Sequence, residues 1–243
     1  MDAAEYANLG RVEREHWYYT GKREFVRRWI LRVRRPRPTD VLLDCGAGTG
    51  QFAFEMQPYC SVLVLDNHEE SLAFLRQRFR PEQVLTLSGD QVPLPNGSIQ
   101  YVTALDVLEH VPDDGLVVDG FYRLLVSGGL AVVTVPAGRA LWSDWDVALH
   151  HYRRYSRAQL QRLFPSEKWE IVYVNYTNVL AHPAVWFLRR WRKWFRTGPG
   201  GRGEDKIPPS PLNALLRRIF VAMAFWRFPF PFGVSLLLVA RRR

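Results

Sequence analysis

Cysteine is scarce in this chain of 243 residues: there are two, Cys45 and Cys60. Two thiols cannot build a disulfide framework or a zinc cluster, and Cys45, in an apolar run beside Gly46, reads as a buried free thiol. Long apolar runs are missing too. The longest, residues 219–240, is broken by Arg227, Pro229, Pro231 and Gly233, which argues against a membrane-spanning helix. The opening MDAAEYANLGRVEREHWYY holds no apolar signal-peptide core, so a cytoplasmic protein is the expectation. Acids are nearly absent from the last quarter. From residue 184 onward thirteen Lys and Arg face only Glu204 and Asp205, a balance of +11, while residues 1–183 carry 20 cations against 22 acids, or −2. The overall +9 is therefore one local basic surface, not a uniform nucleic-acid coat.

The remaining composition, 47% hydrophobic and 23% charged, is that of a globular chain able to bury a sizeable core. Residues 11–35 have helical spacing, with Trp17, Phe25, Trp29 and Ile30 among arginines, and Pro36 and Pro38 end them. Strands are expected at 41–43, 61–65, 83–87, 99–105 and 130–135, alternating with helices at 52–56, 69–80 and 115–126. Such alternation indicates an α/β fold with a parallel sheet covered on both faces. Two further strands, at 169–179 and 233–239, are separated by about fifty largely helical residues. They are expected to pair antiparallel at the sheet edge. The resulting division is a helical cap at 1–37, a core at 38–180, a basic aromatic insertion at 181–231 and a final edge strand at 232–243.

The strand at 41–43 runs into Asp44-Cys45-Gly46-Ala47-Gly48-Thr49-Gly50. A strand that ends in a Gly-rich turn and opens a helix presents backbone N–H groups to a nucleotide-type ligand. A phosphate loop needs Gly-Lys-Ser/Thr, and Gly50 is followed by Gln51 and Phe52. A dinucleotide fingerprint aligned on Gly46 and Gly48 needs glycine where Gln51 stands. The third reading is a nucleoside-type ligand with no phosphate at the loop. Asp44 would repel a pyrophosphate and attract a cation. Asp66 ends the next strand, where a carboxylate can hold both hydroxyls of a ribose. Asp90, after the third strand, can accept from an exocyclic amine. A ribose, an amino-bearing base and a positive charge together describe S-adenosylmethionine.

With these residues the segment resembles motif I of the class I S-adenosylmethionine-dependent methyltransferases. Asp106-Val107-Leu108-Glu109-His110-Val111-Pro112-Asp113 resembles the motif after strand 4 of their small-molecule subgroup, which includes the ubiquinone and menaquinone methyltransferases. Arg123-Leu124-Leu125-Val126-Ser127-Gly128-Gly129 resembles the turn before strand 5. The resemblance covers roughly residues 38–180. It implies a Rossmann-like seven-stranded sheet of order 3-2-1-4-5-7-6 with strand 7 antiparallel. It also implies cofactor binding by Asp44, Gly46, Ala47, Gly48, Gly50, Asp66 with Asn67, Asp90 with Gln91, and Asp106, with S-adenosylhomocysteine as product. In relatives with a comparable start, the N-terminal segment folds over the cofactor. Trp17 and Tyr19 are then expected over its methionine part, with Arg23 pairing its carboxylate.

Methyl transfer to oxygen benefits from a general base, most often histidine. His110 follows strand 4. His151 lies in 141–156, a stretch dense in aromatic, acidic and imidazole groups after strand 5. Asp146, or Asp144, is expected to orient it. The His and Asp spacing there is not diagnostic of a metal, and no metal site is assigned. Arg153, Arg154 and Arg157 read as helix-surface charges, and Ser156 as the cap of the next helix. The motif after strand 4 lacks the Asn/Asp-Pro-Pro-aromatic pattern often found in amino and base N-methyltransferases of this class. Oxygen or carbon methylation of a small molecule is therefore favoured.

Residues 184–196 interleave three Trp and two Phe with five cations. A helix of this kind suits a cap over a greasy acceptor and contact with an anionic membrane surface. The same composition also suits stacking on single-stranded nucleic acid. The expected function is methyl transfer to a small-molecule or lipid-like acceptor, at oxygen. An RNA methyltransferase and a non-catalytic cofactor-binding partner are the alternatives.

Overall fold

The structure, a computed structural model, describes residue 10, residues 12–195 and residues 206–243, with side chains excluded for 192–195. One seven-stranded sheet organises the chain: β1 (Val41–Cys45), β2 (Ser61–Leu65), β3 (Val84–Leu85), β4 (Ile99–Leu105), β5 (Leu125–Pro136), β6 (Trp169–Thr177) and β7 (Ser235–Arg242). Their spatial order is β3-β2-β1-β4-β5-β7-β6. The first five are parallel, and β7 runs antiparallel to both β5 and β6. This is the Rossmann-like sheet that the resemblance implies.

Alternation along β1 divides the core. Leu42 faces the helices α1 (Trp17–Val33), α2 (Gln51–Met56), α3 (Glu69–Arg78) and α8 (Ser210–Met223) through Phe25, Met56, Leu75 and Phe220. Leu43 faces α4 (Asp114–Leu124) and α6 (Arg157–Arg162) through Phe121 and Leu160. The short α5 (Asp144–Ala148) follows β5, and α7 (His182–Phe195) follows β6. Among the described residues, no helix is long and apolar enough to cross a membrane.

Several boundaries differ from expectation; the fifth strand, expected over 130–135, already begins at Leu125. His16 breaks the helix expected over 11–35: its backbone is extended, and its Nδ1 accepts the Tyr18 N–H as the cap of α1. The third strand is only Val84–Leu85, because the Pro81–Gln83 turn precedes it and the Leu87 N–H goes to the Asn67 side chain. In the largely helical stretch expected between the last two strands, the second helix stops at Met223. Beyond it the backbone of 226–230 is held by side chains of β6.

Since β5 ends at Pro136 opposite Ser235, and Ser235 pairs with Thr177, one edge of the sheet gathers the end of β5, the start of β7 and the end of β6. The ends of β1, β2 and β4 lie on that same edge. Every loop carrying a predicted site residue leaves from it.

Candidate active site

Asp44 closes β1. It is buried and accepts a 2.6 Å hydrogen bond from Thr103 Oγ1 on β4. Burial pushes its carboxyl up to about 7, the nearby Asp66 adding to the rise, while the Thr103 bond works the other way. After it the loop turns through left-handed glycines. Gly48 has φ +57, and a Cβ built there meets nothing within 4 Å, so the loop leaves open space in front of its backbone. Its N–H donates to Asp66 Oδ2 at 2.9 Å, and its carbonyl accepts from Ser71 Oγ at 2.6 Å. Asp66 also takes the N–H groups of Asn67 and His68 at 2.8 and 3.1 Å. A fixed carboxylate, an unfilled backbone cradle and a second acid that gains from a cation suit a positively charged nucleoside. Asp90 and Gln91 are exposed on the turn closed by the Ser88–Gln91 bridge, while Asn67 helps fix the backbone at Leu87. Ala47 donates its N–H to the Leu65 carbonyl at 3.1 Å, tying the loop to β2.

The N-terminal segment does reach this loop. Glu13 takes a short hydrogen bond from Thr49 Oγ1, and burial raises its carboxyl pKa, opposed by that bond. Arg23 holds the segment down, donating to Glu55 Oε1 at 2.9 Å and to the Glu13 carbonyl at 2.7 Å. Its guanidinium therefore ties α1 to α2 and to residue 13. Trp17 packs edge-on against Phe220, with centroids 5.5 Å apart, and Tyr19 lies against Tyr18 and His16. The cation that α1 sends to the strand ends is Lys22, one residue before the expected one. It forms a short ion pair with Asp106 Oδ2 beneath the Tyr18 ring.

Asp106 stands at the end of β4 with φ +58. Its Oδ1 accepts from Thr134 Oγ1 at 2.9 Å. Burial opposes ionisation of Asp106, but the Lys22 ammonium and these hydrogen bonds hold its carboxyl below the usual range. Lys22 is correspondingly held above the ordinary lysine value by Asp106, against the effect of its own burial.

On the acceptor side the structure brings together the three residues expected there. His151 Nδ1 lies 3.0 Å from Asp146 Oδ1. Asp146 is 1% exposed. Burial would raise its carboxyl, but His151, Arg154 and Ser143 hold it down to about 2. A carboxylate only accepts, so the proton of this contact sits on Nδ1 and the other ring nitrogen, Nε2, is left to accept. The rings of His110 and His151 meet edge-to-face at 4.6 Å. Surrounding protein and His151 push the His110 imidazole down to about 4, so it is neutral at pH 7. Asp144 is exposed, which leaves Asp146 as the orienting acid.

Of the expected surface charges, Arg154 is buried and Arg157 is partly buried. Arg154 is 6% exposed and donates to Asp146 Oδ1 at 2.6 Å and to the Ala137 carbonyl at 3.1 Å. Arg157 donates to Asn175 Oδ1 and to the Phe230 carbonyl. Arg154 turns to Asp146, eight positions earlier, and Arg157 reaches the carbonyl of Phe230, 73 positions on, which local spacing does not reveal. Ser156 caps α6 as expected, accepting the Gln159 N–H.

Glu109 was not anticipated in a role. It is fully buried, and neither carboxylate oxygen has a hydrogen-bond partner among the described residues. Burial and the neighbouring Asp106 raise its pKa well above the ordinary range. Ligand atoms of Glu109, His110 and His151 lie within 4.8 Å of one another, a grouping able to hold a cation.

In fold, the chain is similar to solved Rossmann-like methyltransferases. Residues 43–133 match the family described as Methyltransferase domain. Over 165 residues the chain is 27% identical to a probable S-adenosylmethionine-dependent methyltransferase of Mycolicibacterium smegmatis, covering 67% of this chain and 62% of the relative. A probable S-adenosylmethionine-dependent methyltransferase of Mycobacterium tuberculosis is 32% identical over 104 residues, covering 42% of this chain and 38% of the relative. The chain thus spans less than two thirds of either relative's length. The fold matches geranyl diphosphate C-methyltransferase from Streptomyces coelicolor with a TM-score of 0.62 at 15% identity, covering 93% and 79% of the two chains. It also matches phosphoethanolamine N-methyltransferase 2 from Haemonchus contortus, TM-score 0.56 at 16% identity, covering 87% and 50%. The chain is thus similar to S-adenosylmethionine-dependent methyltransferases over the part of its length that these matches cover.

Proposed function

We propose that this chain moves the methyl group of S-adenosylmethionine to an oxygen of a small, lipid-like acceptor, with His151 as the general base. The observation that carries the reading is the buried His151–Asp146 pair beside His110, at the sheet edge that also bears the Gly48 cradle. When bound, S-adenosylmethionine supplies a methyl group on a positively charged sulfur, ready for in-line displacement. Asp44 holds that charge nearby, Asp66 takes the ribose hydroxyls and Asp90 the adenine amine. His151 Nε2 receives the acceptor's hydroxyl proton, and Asp146 stabilises the imidazolium that forms. Neutral His110 donates its ring N–H to the acceptor and positions its oxygen. Trp17 and Tyr19 cover the methionine side.

A lipid-like acceptor is supported by the apolar surface that follows the site. Leu141 ends the turn after β5, and its carbonyl accepts from Arg189 of α7, a helix that exposes Trp186, Phe187 and Leu188. Part of the basic aromatic stretch, residues 192–196, lies outside the described side chains.

The test supplies purified protein with methyl-labelled S-adenosylmethionine and a panel of hydroxylated lipids, quinol-type phenols and RNA. Products are assigned by mass spectrometry and NMR. The reading expects labelled O-methyl ether or ester from an apolar acceptor, and a loss of about 10²–10⁴ in kcat for His151→Ala. Labelled RNA, C- or N-methyl products, or unchanged turnover in His151→Ala would overturn it.

A further inference from the structure

Between α8 and β7 the chain reads Phe225-Trp226-Arg227-Phe228-Pro229-Phe230-Pro231-Phe232. Its backbone is clamped from below. Asn175 on β6 is 1% exposed, and its Nδ2 donates to the Phe228 carbonyl at 2.9 Å. Its Oδ1 takes the Phe230 N–H at 2.9 Å. Tyr173 Oη donates to the Trp226 carbonyl at 3.0 Å, and Arg157 donates to that of Phe230 at 2.8 Å. Two prolines restrict the turn further. Yet two of its rings point outward, Trp226 at 52% exposed and Phe228 at 70%, while Phe225 stacks on the buried Trp29. A turn with this many fixed backbone contacts cannot fold its aromatics away. The cost of holding them in water is therefore built in.

The turn adjoins a second apolar surface. The Phe232 ring meets His182, the first residue of α7, at 4.8 Å. From there α7 exposes Trp186, Phe187 and Trp191, the last two with ring centroids 6.0 Å apart. Cations accompany these aromatics. Arg227 is exposed within the turn, and Arg190 lies over the Trp186 ring at 5.8 Å. In sequence, no acid follows Asp205. Contiguous exposed aromatics interspersed with arginine and free of acids match an anionic lipid surface, whose interface takes indole and phenyl rings and whose headgroups take guanidinium.

Topology places this face at the site. The turn enters β7 at Ser235, opposite Pro136, and α7 leaves β6 at the same edge. Arg189 of α7 reaches inward, 3.6 Å from Asp146. We propose that the clamped turn 225–232 and α7 form one docking face for an anionic bilayer, from which an acceptor lipid enters the His151 side of the cleft. The inference deepens the lipid-like acceptor reading by naming its partner surface.

The test is flotation of the full chain with vesicles of phosphatidylglycerol and phosphatidylcholine, against phosphatidylcholine alone, with neither cofactor nor acceptor added. Failure of the acceptor reading therefore leaves this readout untouched. The wild type is expected to float with the anionic vesicles and to release as salt rises. Trp226→Ser with Phe228→Ser is expected to weaken binding about tenfold or more while leaving S-adenosylmethionine affinity unchanged. Trp186→Ser is a second, separately folding check, with the same direction expected. Absence of flotation by the wild type, or equal flotation by both variants, overturns the proposal. So does burial of the face in a concentration-dependent dimer by sedimentation velocity, or a preference for RNA over vesicles.

Discussion

Arg189 stands 3.6 Å from Asp146, and Asp146 holds His151 at 3.0 Å. One buried carboxylate therefore joins an amphipathic helix of the last quarter to the imidazole at the strand ends. Arg154 closes the cluster from a third direction at 2.6 Å. Asp146 thus has two kinds of work. It fixes the tautomer of His151, and it neutralises two arginines whose charges would otherwise lie buried.

The substitution Asp146→Asn separates these. The amide preserves shape but removes the charge that Asp146 turns toward Arg154 and Arg189. Unfolding stability is expected to drop by roughly 2–4 kcal/mol. Turnover is expected to fall by about 10² or more in kcat, because the amide can present its NH₂ to Nδ1 and reverse the tautomer. The affinity for S-adenosylmethionine should not move. Calorimetry of cofactor binding, thermal unfolding and steady-state kinetics on one preparation check all three. A parallel loss of cofactor affinity would show that Asp146 acts on the whole fold and not through His151.

The architecture was legible because it rests on local signals. Alternating apolar runs marked the strands, and Gly46 to Gly50 marked the turn into α2. What escaped were particular side-chain contacts between distant segments. Lys22 meets Asp106 across 84 positions, and Arg157 meets Phe230 across 73. In both cases a cation that looks solvated in sequence is taken inward by an acceptor that only the fold brings near. Arg23 illustrates the same limit from the other side. A helix position one step from Lys22 points to a different neighbour, Glu55, and spacing alone does not rank the two. Glu109 lies within the strand 4 motif, but nothing in a sequence marks a carboxyl as buried without partners.

Asp44 gives a pH-dependent prediction. Burial pushes its carboxyl up to about 7 in the free protein, against 3.8 for an ordinary aspartate. The folded value lies above the unfolded one. The free protein should therefore be most stable below about pH 4 as far as this group is concerned, and lose that contribution as pH rises toward 7. The gap corresponds to roughly 4 kcal/mol. A cationic ligand prefers the ionised form, so S-adenosylmethionine affinity should rise about tenfold from pH 6 to pH 8. In Asp44→Asn the free protein should be more stable at pH 8 than the wild type, and its weakened binding should be flat with pH. Denaturant melts and calorimetry at three pH values test both halves. A pH-independent affinity in the wild type would remove Asp44 from the cofactor's charge.

Lys22 and Asp106 form a second buried couple, with side-chain exposures of 10% and 30%. Lys22→Met should leave Asp106 beside Glu109 with no cation and cost about 2–4 kcal/mol. Adding Asp106→Asn should recover part of that loss, giving a coupling of about 1–3 kcal/mol in a double-mutant cycle. Additive effects would mean that the pair contributes nothing beyond its members.

The Gly-rich loop allows binding to be separated from folding at neighbouring positions. Gly46 has φ +63, and an added Cβ would lie 2.6 Å from Val107 Cγ2, inside the packed side of the loop. Gly46→Ala combines backbone strain with a clash and should destabilise the protein by at least about 2–3 kcal/mol. Gly48 has φ +57, but its Cβ would enter open space. Gly48→Ala should therefore carry only the strain, about 1–2 kcal/mol, and remain folded. Its methyl group would project into the space assigned to the cofactor, so affinity should fall by about tenfold or more. Thermal unfolding and calorimetry distinguish the two alanines. A Gly48→Ala protein that is folded and binds S-adenosylmethionine as tightly as the wild type would place the nucleoside elsewhere along the strand ends.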